Sequence, residues 1–151
     1  MLVFIGSFIL TIIAALSQIT NWILIDAIIK PNLIFVVLMI LGIMNPSWIR
    51  RAILILAAAL ILKFTPGFSL LDLTFIGAVV ASMILMDFLP WRQPINLLLA
   101  VTTGTIIINL DNLTFSPLAY ELILNLLLAF VLFALLKLVH VPQIKLQKNR
   151  F

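Results

Sequence analysis

Long apolar runs, separated by short polar clusters, are the feature of this sequence that most constrains its fold. Of the 151 residues, 65% are hydrophobic and only 9% are charged. A soluble domain carries about 25% charged residues, because it must cover its surface with groups that water solvates. We therefore expect most of the surface of this chain to face lipid. At roughly 20 residues for each spanning helix, the length holds about six helices and no extramembrane domain.

Polar and proline-containing clusters interrupt the apolar sequence at five places. Helices in lipid start and stop at such residues. The clusters lie at 18–32, 45–47, 63–69, 87–94 and 111–117. Five breaks predict six transmembrane helices, at about 2–20, 31–44, 48–62, 70–87, 95–110 and 117–138. We expect an all-α integral membrane protein, a compact six-helix bundle over residues 1–138 with a short basic tail at 139–151.

Lysine and arginine residues fall mainly on one side of this arrangement. Arg50, Arg51 and Arg92 lie beside the second and fourth loops. Four more cations lie at or beyond the end of the last helix on the same side, namely Lys137, Lys145, Lys148 and Arg150. Only Lys30 and Lys63 lie on the other side. Because cations are retained in the cytoplasm, we predict that the cation-rich side and both termini are cytoplasmic.

The second and third helices are short for a membrane span. They reach only ~21 to 23 Å at 1.5 Å per residue, against a hydrocarbon core of about 30 Å. They form either two short spans or a re-entrant hairpin. The hairpin would place Arg50 and Arg51 inside the membrane at about 3 kcal/mol each, so we expect two spans. Residues 22–30 either extend the first helix or lie along the interface, where Asp26 and Lys30 are spaced i, i+4.

Reactive groups are scarce in this sequence. It has no Cys and one His, and its acidic residues all fall near predicted helix ends. Pumps, carriers and membrane enzymes usually need an ionisable group at mid-membrane. We therefore predict no enzymatic activity, no catalytic residue, no metal and no cofactor. Asp87 is expected to pair with Arg92 or with the Arg50–Arg51 pair, and the cations form no basic face for nucleic acid.

Small and weakly polar residues recur at helical spacing in three of the predicted helices. This pattern is typical of transmembrane helices that pack closely and hydrogen-bond to each other. The predicted helix-packing or partner-binding residues are Ser7, Thr11 and Gln18 in the first helix, Gly77, Ala78, Ala81 and Ser82 in the fourth, and Thr102, Gly104, Thr105 and Asn109 in the fifth. Alternatively, Thr102, Thr105 and Asn109, together with Asn125, line a cavity for a small solute.

Two local features accompany the predicted topology. Lys30-Pro31-Asn32-Leu33 opens the second helix, and a Pro66-Gly67 turn follows the short third helix. With the length and the six-helix, both-ends-inside topology, these features resemble the MreD family, the small polytopic subunit of the bacterial rod-shape machinery for cell-wall elongation. That family tends to have glycines and an acid near the end of the third helix, where this chain has Ala57-Ala58-Ala59 and Lys63.

The resemblance implies a non-enzymatic scaffold in the bacterial cytoplasmic (inner) membrane. Such a protein would bind the single-span partner MreC and help to couple the wall synthases to the cytoskeletal filament. A compact six-helix fold is also similar to the substrate-binding subunits of energy-coupling-factor vitamin transporters, and an accessory subunit of another membrane complex is a third alternative. A scaffold should have a packed interior and an apolar lateral groove, whereas a transporter needs an enclosed polar cavity open to one side.

Overall fold

The computed structural model describes residues 2–19, 31–62, 70–110 and 114–147, with side chains up to residue 138 in the last of these ranges. The described residues are all-helical and contain no strand. The helices are α1 Leu2–Ile19, α2 Leu33–Met44, α3 Trp48–Leu62, α4 Leu70–Phe88, α5 Gln93–Ile108 and α6 Phe115–Gln147. The prediction of an all-α fold with six helices is therefore confirmed.

Helix starts lie close to those predicted, and local chemistry explains the differences. α2 begins at Leu33 rather than at residue 31, because the side chain of Asn32 caps it by accepting a hydrogen bond from the Phe35 N–H at 3.2 Å. α5 begins two residues early, with Pro94 in its first turn. A proline is tolerated there because the first N–H groups of a helix have no partner within the helix.

α6 is longer than predicted. It begins at Phe115 and continues to Gln147, past the predicted end at residue 138 and into the range predicted as a tail. The predicted end marks where the apolar run stops, but lysine and glutamine are good helix formers, so polarity alone does not end a helix. The alternatives for residues 22–30 and the Pro66-Gly67 turn lie outside the described residues.

α2 is the central helix of the fold. All nine residues from Ile34 to Gly42 are buried, and Phe35, Leu38 and Met39 are fully inaccessible. A helix that is apolar on every side has no polar face to turn outward. α2 also contacts each of the other five helices, so it forms the core of the molecule.

The other five helices form an incomplete ring around α2. Their order around the ring is α1, α3, α4, α5 and α6, and each contacts its neighbour in that order. Within the described residues, α1 and α6 share no contact. The ring is therefore open between the first and the last helix of the chain.

Among the described residues, two helices are long and apolar enough to cross a membrane. These are α1 and the Phe115–Leu138 part of α6. In an apolar 18-residue stretch of each, only 22% and 17% of the residues are buried, respectively. Such low burial differs from that of a soluble core helix, which is mostly covered. α2 has 12 residues and reaches only ~18 Å. Length and composition are thus consistent with a membrane location.

Candidate functional site

The predicted polar stripe of α1 contacts both ends of α2. Ser7 and Thr11 are buried. The Ser7 hydroxyl accepts a hydrogen bond from Asn45 Nδ2 at 2.9 Å, beyond the last residue of α2. Gln18 Oε1 accepts one from the Ile34 N–H at 2.9 Å, in the first turn of α2. The stripe therefore holds the central helix in place and is used within the molecule.

A group of polar side chains surrounds the start of α2. We call this group the N-terminal network; its members are Gln18, Asn32, Thr105, Asn109, Glu121 and Asn125. Asn125 is fully buried; its Oδ1 accepts a hydrogen bond from the Asn32 N–H at 2.8 Å, and its Nδ2 donates to Thr105 Oγ1 at 3.0 Å. Asn109 Nδ2 donates to Glu121 Oε2 at 3.1 Å. The network thus connects α5 and α6 to the start of α2.

The N-terminal network supplies acceptors to the free N–H groups of α2. The Ile34 N–H bonds to the side chain of Gln18, and the Phe35 N–H bonds to that of Asn32. The first N–H groups of any helix lack partners within the helix, and a buried helix end without outside partners is costly. The network therefore allows α2 to begin inside the protein.

Thr102, on the predicted α5 face, bonds within its own helix. Its hydroxyl donates to the Leu98 carbonyl at 2.9 Å. Thr105, Asn109 and Asn125 do come together, as the alternative solute-binding interpretation requires. Their polar groups bond to each other, to Glu121 and to the backbone at the start of α2, which is an arrangement suited to packing.

The four predicted small residues of α4 divide between two faces. Ala78 and Ser82 are buried, whereas Gly77 and Ala81 are exposed. A Cβ placed on Gly77 would have no heavy atom within 4 Å. Of the two overlapping small-residue pairs, one therefore packs inside and the other faces outward.

Gly104 marks the closest approach between α5 and its neighbours. It is buried, and a Cβ at this position would overlap the Phe35 ring and Ser82 Oγ. Only the absence of a side chain lets α5 lie this close to α2 and α4. Gly104 and Ser82, both predicted as helix-packing or partner-binding residues, therefore lie where helices meet.

A second polar group surrounds the end of α2. We call it the C-terminal cluster; its members are Ser7, Asn45, Arg51 and Asp87. Arg51 is 4% exposed, and its Nε–H donates to the carbonyls of Gly42 at 3.1 Å and Asn45 at 2.8 Å. These carbonyls lie at the end of α2, where a helix has acceptors without partners and where a cation is favoured.

Arg51 also forms an ion pair with α4. Its Nη1 donates to Asp87 Oδ2, and its Nη2 donates to Asp87 Oδ1 at 3.2 Å. The guanidinium lies 5.0 Å from the centre of the Trp48 ring. The prediction that Asp87 pairs with a nearby arginine is confirmed, and Arg51 is the partner.

The three arginines predicted to determine topology have different surroundings. Arg50 is exposed beside the Phe4 ring at 5.9 Å, and Arg92 is exposed just before α5. Arg51 is instead an interior residue. The cost of about 3 kcal/mol for each arginine inside the membrane applies to an unpaired side chain. Pairing with Asp87 lowers this cost for Arg51.

Asn96 is an interior polar residue that the sequence interpretation missed. It is buried on α5, and its Nδ2 donates to the carbonyls of Met86 at 3.2 Å and Leu89 at 2.7 Å. It therefore ties the end of α4 to α5. An amide within an apolar helix is the signal that could have identified it, as it identified Asn125.

An apolar groove opens sideways between α1 and α6. We call it the α1–α6 groove; its volume is about 410 Å³. α2 forms its floor, at the gap in the ring of helices. Its lining comprises Leu10, Ile13, Ala14 and Ser17 of α1, Leu33, Val37, Ile40, Leu41 and Met44 of α2, and Leu132, Leu135 and Leu136 of α6. The Ser17 hydroxyl donates to the Ile13 carbonyl at 2.8 Å, so the groove is apolar over its length.

The part of the chain that the structure describes contains no group of three or more His, Cys, Asp or Glu residues placed to hold a metal ion.

Comparison with protein-family models, with characterised proteins and with solved structures finds no match to this chain.

Proposed function

We propose that this chain is a membrane scaffold subunit that binds the transmembrane helix of a partner protein in the α1–α6 groove. The groove carries the proposal. Its walls are α1 and α6, the two helices that are long and apolar enough to cross a membrane, so its length runs in the direction of a spanning helix. Its lining is apolar, which suits a partner segment that is itself embedded in lipid.

The shape of the groove favours a helix as its occupant. A helix with its side chains is about 10–12 Å wide, so a groove of this size receives the side chains of one helix face. Ala14 and Ser17 are small residues on the α1 wall, and small residues let a second backbone approach closely. Helices in lipid associate through such packing, because lipid tails are as apolar as the side chains.

The proposal includes six membrane crossings with both termini in the cytoplasm. The satisfied ends of α2 support it, because a helix shorter than the hydrocarbon core needs partners for its terminal backbone groups. Arg50 and Arg92 are exposed at the end of the bundle that holds the C-terminal cluster. Cations at one end of a bundle favour a cytoplasmic position for that end.

By resemblance to MreD, the proposed partners are an MreC-like single-span protein and the wall synthases of a bacterial inner membrane. The chain acts by contact and not as an enzyme. The energy-coupling-factor type of transporter is the less supported alternative. Thr105, Asn109 and Asn125, the side chains that it would use, bond to one another and to α2.

Affinity purification from membranes in mild detergent tests the proposal. Ile13→Trp fills the groove, and Ile9→Trp is its matched control, since Ile9 is similarly exposed on α1 but does not line the groove. The wild type and Ile9→Trp should recover wall-elongation proteins, and Ile13→Trp should lose them. Recovery of an ATPase pair with a coupling subunit would contradict the scaffold and support the transporter.

A further inference from the structure

A second cavity lies beside the C-terminal cluster and is polar where the α1–α6 groove is apolar. Its volume is about 250 Å³, and it is open to the outside. The lining residues are Ile43, Arg51, Met86, Asp87, Trp91, Gln93 and Asn96. At about 30 Å³ per water molecule, this space corresponds to roughly eight waters. It is large enough for a small charged group.

The cavity wall has hydrogen-bonding capacity of both kinds. Arg51 has five N–H donors; Nε–H serves the end of α2, and one N–H on each terminal nitrogen serves Asp87. The two remaining guanidinium N–H groups lie on opposite edges of the planar group, so one of them is left for an anion in the cavity. The Asp87 side chain is 37% exposed and has lone pairs left for a cation. Asn96 Oδ1, a buried oxygen, accepts no hydrogen bond from the described residues.

We propose that this cavity binds a phosphate–ammonium zwitterion, the headgroup of an ethanolamine phospholipid. The phosphate accepts a hydrogen bond from a free N–H group of Arg51, and the ammonium bonds to the Asp87 carboxylate. Trp91 is 56% exposed at the cavity, and its ring face attracts the ammonium. The inference rests on the proposed membrane bundle, which places this end of the helices at the level of the lipid headgroups.

The charges of the wall discriminate among the common headgroups. A glycerol headgroup carries no cation, so its phosphate meets Arg51 while the Asp87 carboxylate is left with a net negative neighbour. A choline headgroup has no N–H group and cannot donate a hydrogen bond to the Asp87 carboxylate. Trp48 is 44% exposed, and its ring lies 5.0 Å from the Arg51 guanidinium. An exposed aromatic ring next to the site suits the acyl region of a bound lipid, which a soluble zwitterion lacks.

Lipid binding to the purified protein in mild detergent tests the inference. Native mass spectrometry compares ethanolamine, choline and glycerol phospholipids with the same acyl chains. We expect a roughly tenfold preference for the ethanolamine lipid, the size of one hydrogen bond to a charged group. Trp91→Ala and Gln93→Ala change exposed residues of the wall and should weaken binding of the ethanolamine lipid. Phe88→Ala, an exposed aromatic outside the lining, should leave this binding unchanged.

Three outcomes would overturn the inference. They are equal binding of the three lipids, an unchanged affinity for the ethanolamine lipid in both Trp91→Ala and Gln93→Ala, and displacement of the lipid by equimolar free phosphoethanolamine, which would make the soluble zwitterion the ligand. Ile13→Trp fills the distant groove and should leave the lipid preference unchanged. A failure of partner binding and a failure of headgroup binding are therefore distinguishable.

Discussion

The two ends of α2 are both held inside the protein, but different kinds of side chain satisfy their backbone groups. At the start, neutral amides of Gln18 and Asn32 accept hydrogen bonds from backbone N–H groups. At the end, the guanidinium of Arg51 donates to backbone carbonyls and is paired with Asp87. The Arg51 guanidinium serves two carbonyls of α2 but also carries a charge. The end of α2 therefore depends on the Asp87 carboxylate of α4 as well, whereas the start depends on neutral side chains alone.

The charged end should be the more sensitive of the two. Arg51→Met leaves the carbonyls of Gly42 and Asn45 without their donor and leaves Asp87 unpaired. We expect a loss of about 3–5 kcal/mol in the free energy of unfolding. Most of it comes from two carbonyls left without their donor, at about 1–3 kcal/mol each, because Asp87 is 37% exposed and water screens its unpaired charge. Chemical denaturation in mild detergent measures it. Adding Asp87→Leu to this variant should recover part of the loss, and a change below about 0.5 kcal/mol in the single variant would show that the pair is not structural.

The neutral end should lose less. Asn125→Leu removes the acceptor for the Asn32 N–H and the donor to Thr105 Oγ1, and leaves one half-buried and one buried group without these partners. We expect a loss of about 2–3 kcal/mol by the same measurement, given 1–3 kcal/mol for each such group and some gain from the apolar side chain. Thr102→Val is the control, because this hydroxyl bonds only within its own helix, and it should change the free energy of unfolding little. A larger loss in Asn125→Leu than in Arg51→Met would reverse the comparison.

Between the two ends, packing alone holds α2. Gly104→Ala places a methyl group against Phe35 and Ser82. We expect a loss of about 2 kcal/mol, within the range for overpacking. Gly77→Ala adds the same methyl group to the open face of α4 and should be neutral or stabilising, since alanine favours a helix over glycine by about 1 kcal/mol. Equal effects in the two variants would contradict the close contact at α5.

The smallest effect is expected for the neighbour of Arg51 in sequence. Arg50 is exposed, and its guanidinium lies over the ring of Phe4. Arg50→Ala should cost at most about 0.5–1 kcal/mol, the value of an exposed cation–π contact. The adjacent variants Arg50→Ala and Arg51→Met therefore form a matched pair at the charged end. Similar losses in both would mean that Arg51 acts as a surface cation.

The sequence was sufficient to predict the helices, because the residues that start and stop a helix are local. The exact starts differ at two helices, where Asn32 caps α2 and Pro94 lies in the first turn of α5. The polar faces that pack inside, such as Ser7 and Thr11, were also predictable, since a polar group within an apolar helix needs a partner. The end of α6 was not, because the apolar run and the helix stop at different residues.

The central position of α2 could not be predicted from its composition. Lipid and a protein interior are equally apolar, so Leu38 in the core and Leu127 on the outside of α6 give the same signal. The interior position of Arg51 and the α1–α6 groove depend on which helices become neighbours. Sequence spacing within one helix carries no information on that arrangement.

We propose that the α1–α6 groove holds a partner's transmembrane helix. Photo-crosslinking in intact membranes tests it most directly, with benzoylphenylalanine placed one position at a time at Ile13 and Leu135 in the groove and at Ile9 and Leu127 outside it. All four side chains are exposed in the isolated chain, so exposure alone would give equal crosslinks. We predict crosslinks to a membrane-protein partner from Ile13 and Leu135 and not from Ile9 or Leu127. Crosslinks to a partner only from Ile9 and Leu127, or equal yields from all four positions, would contradict the claim.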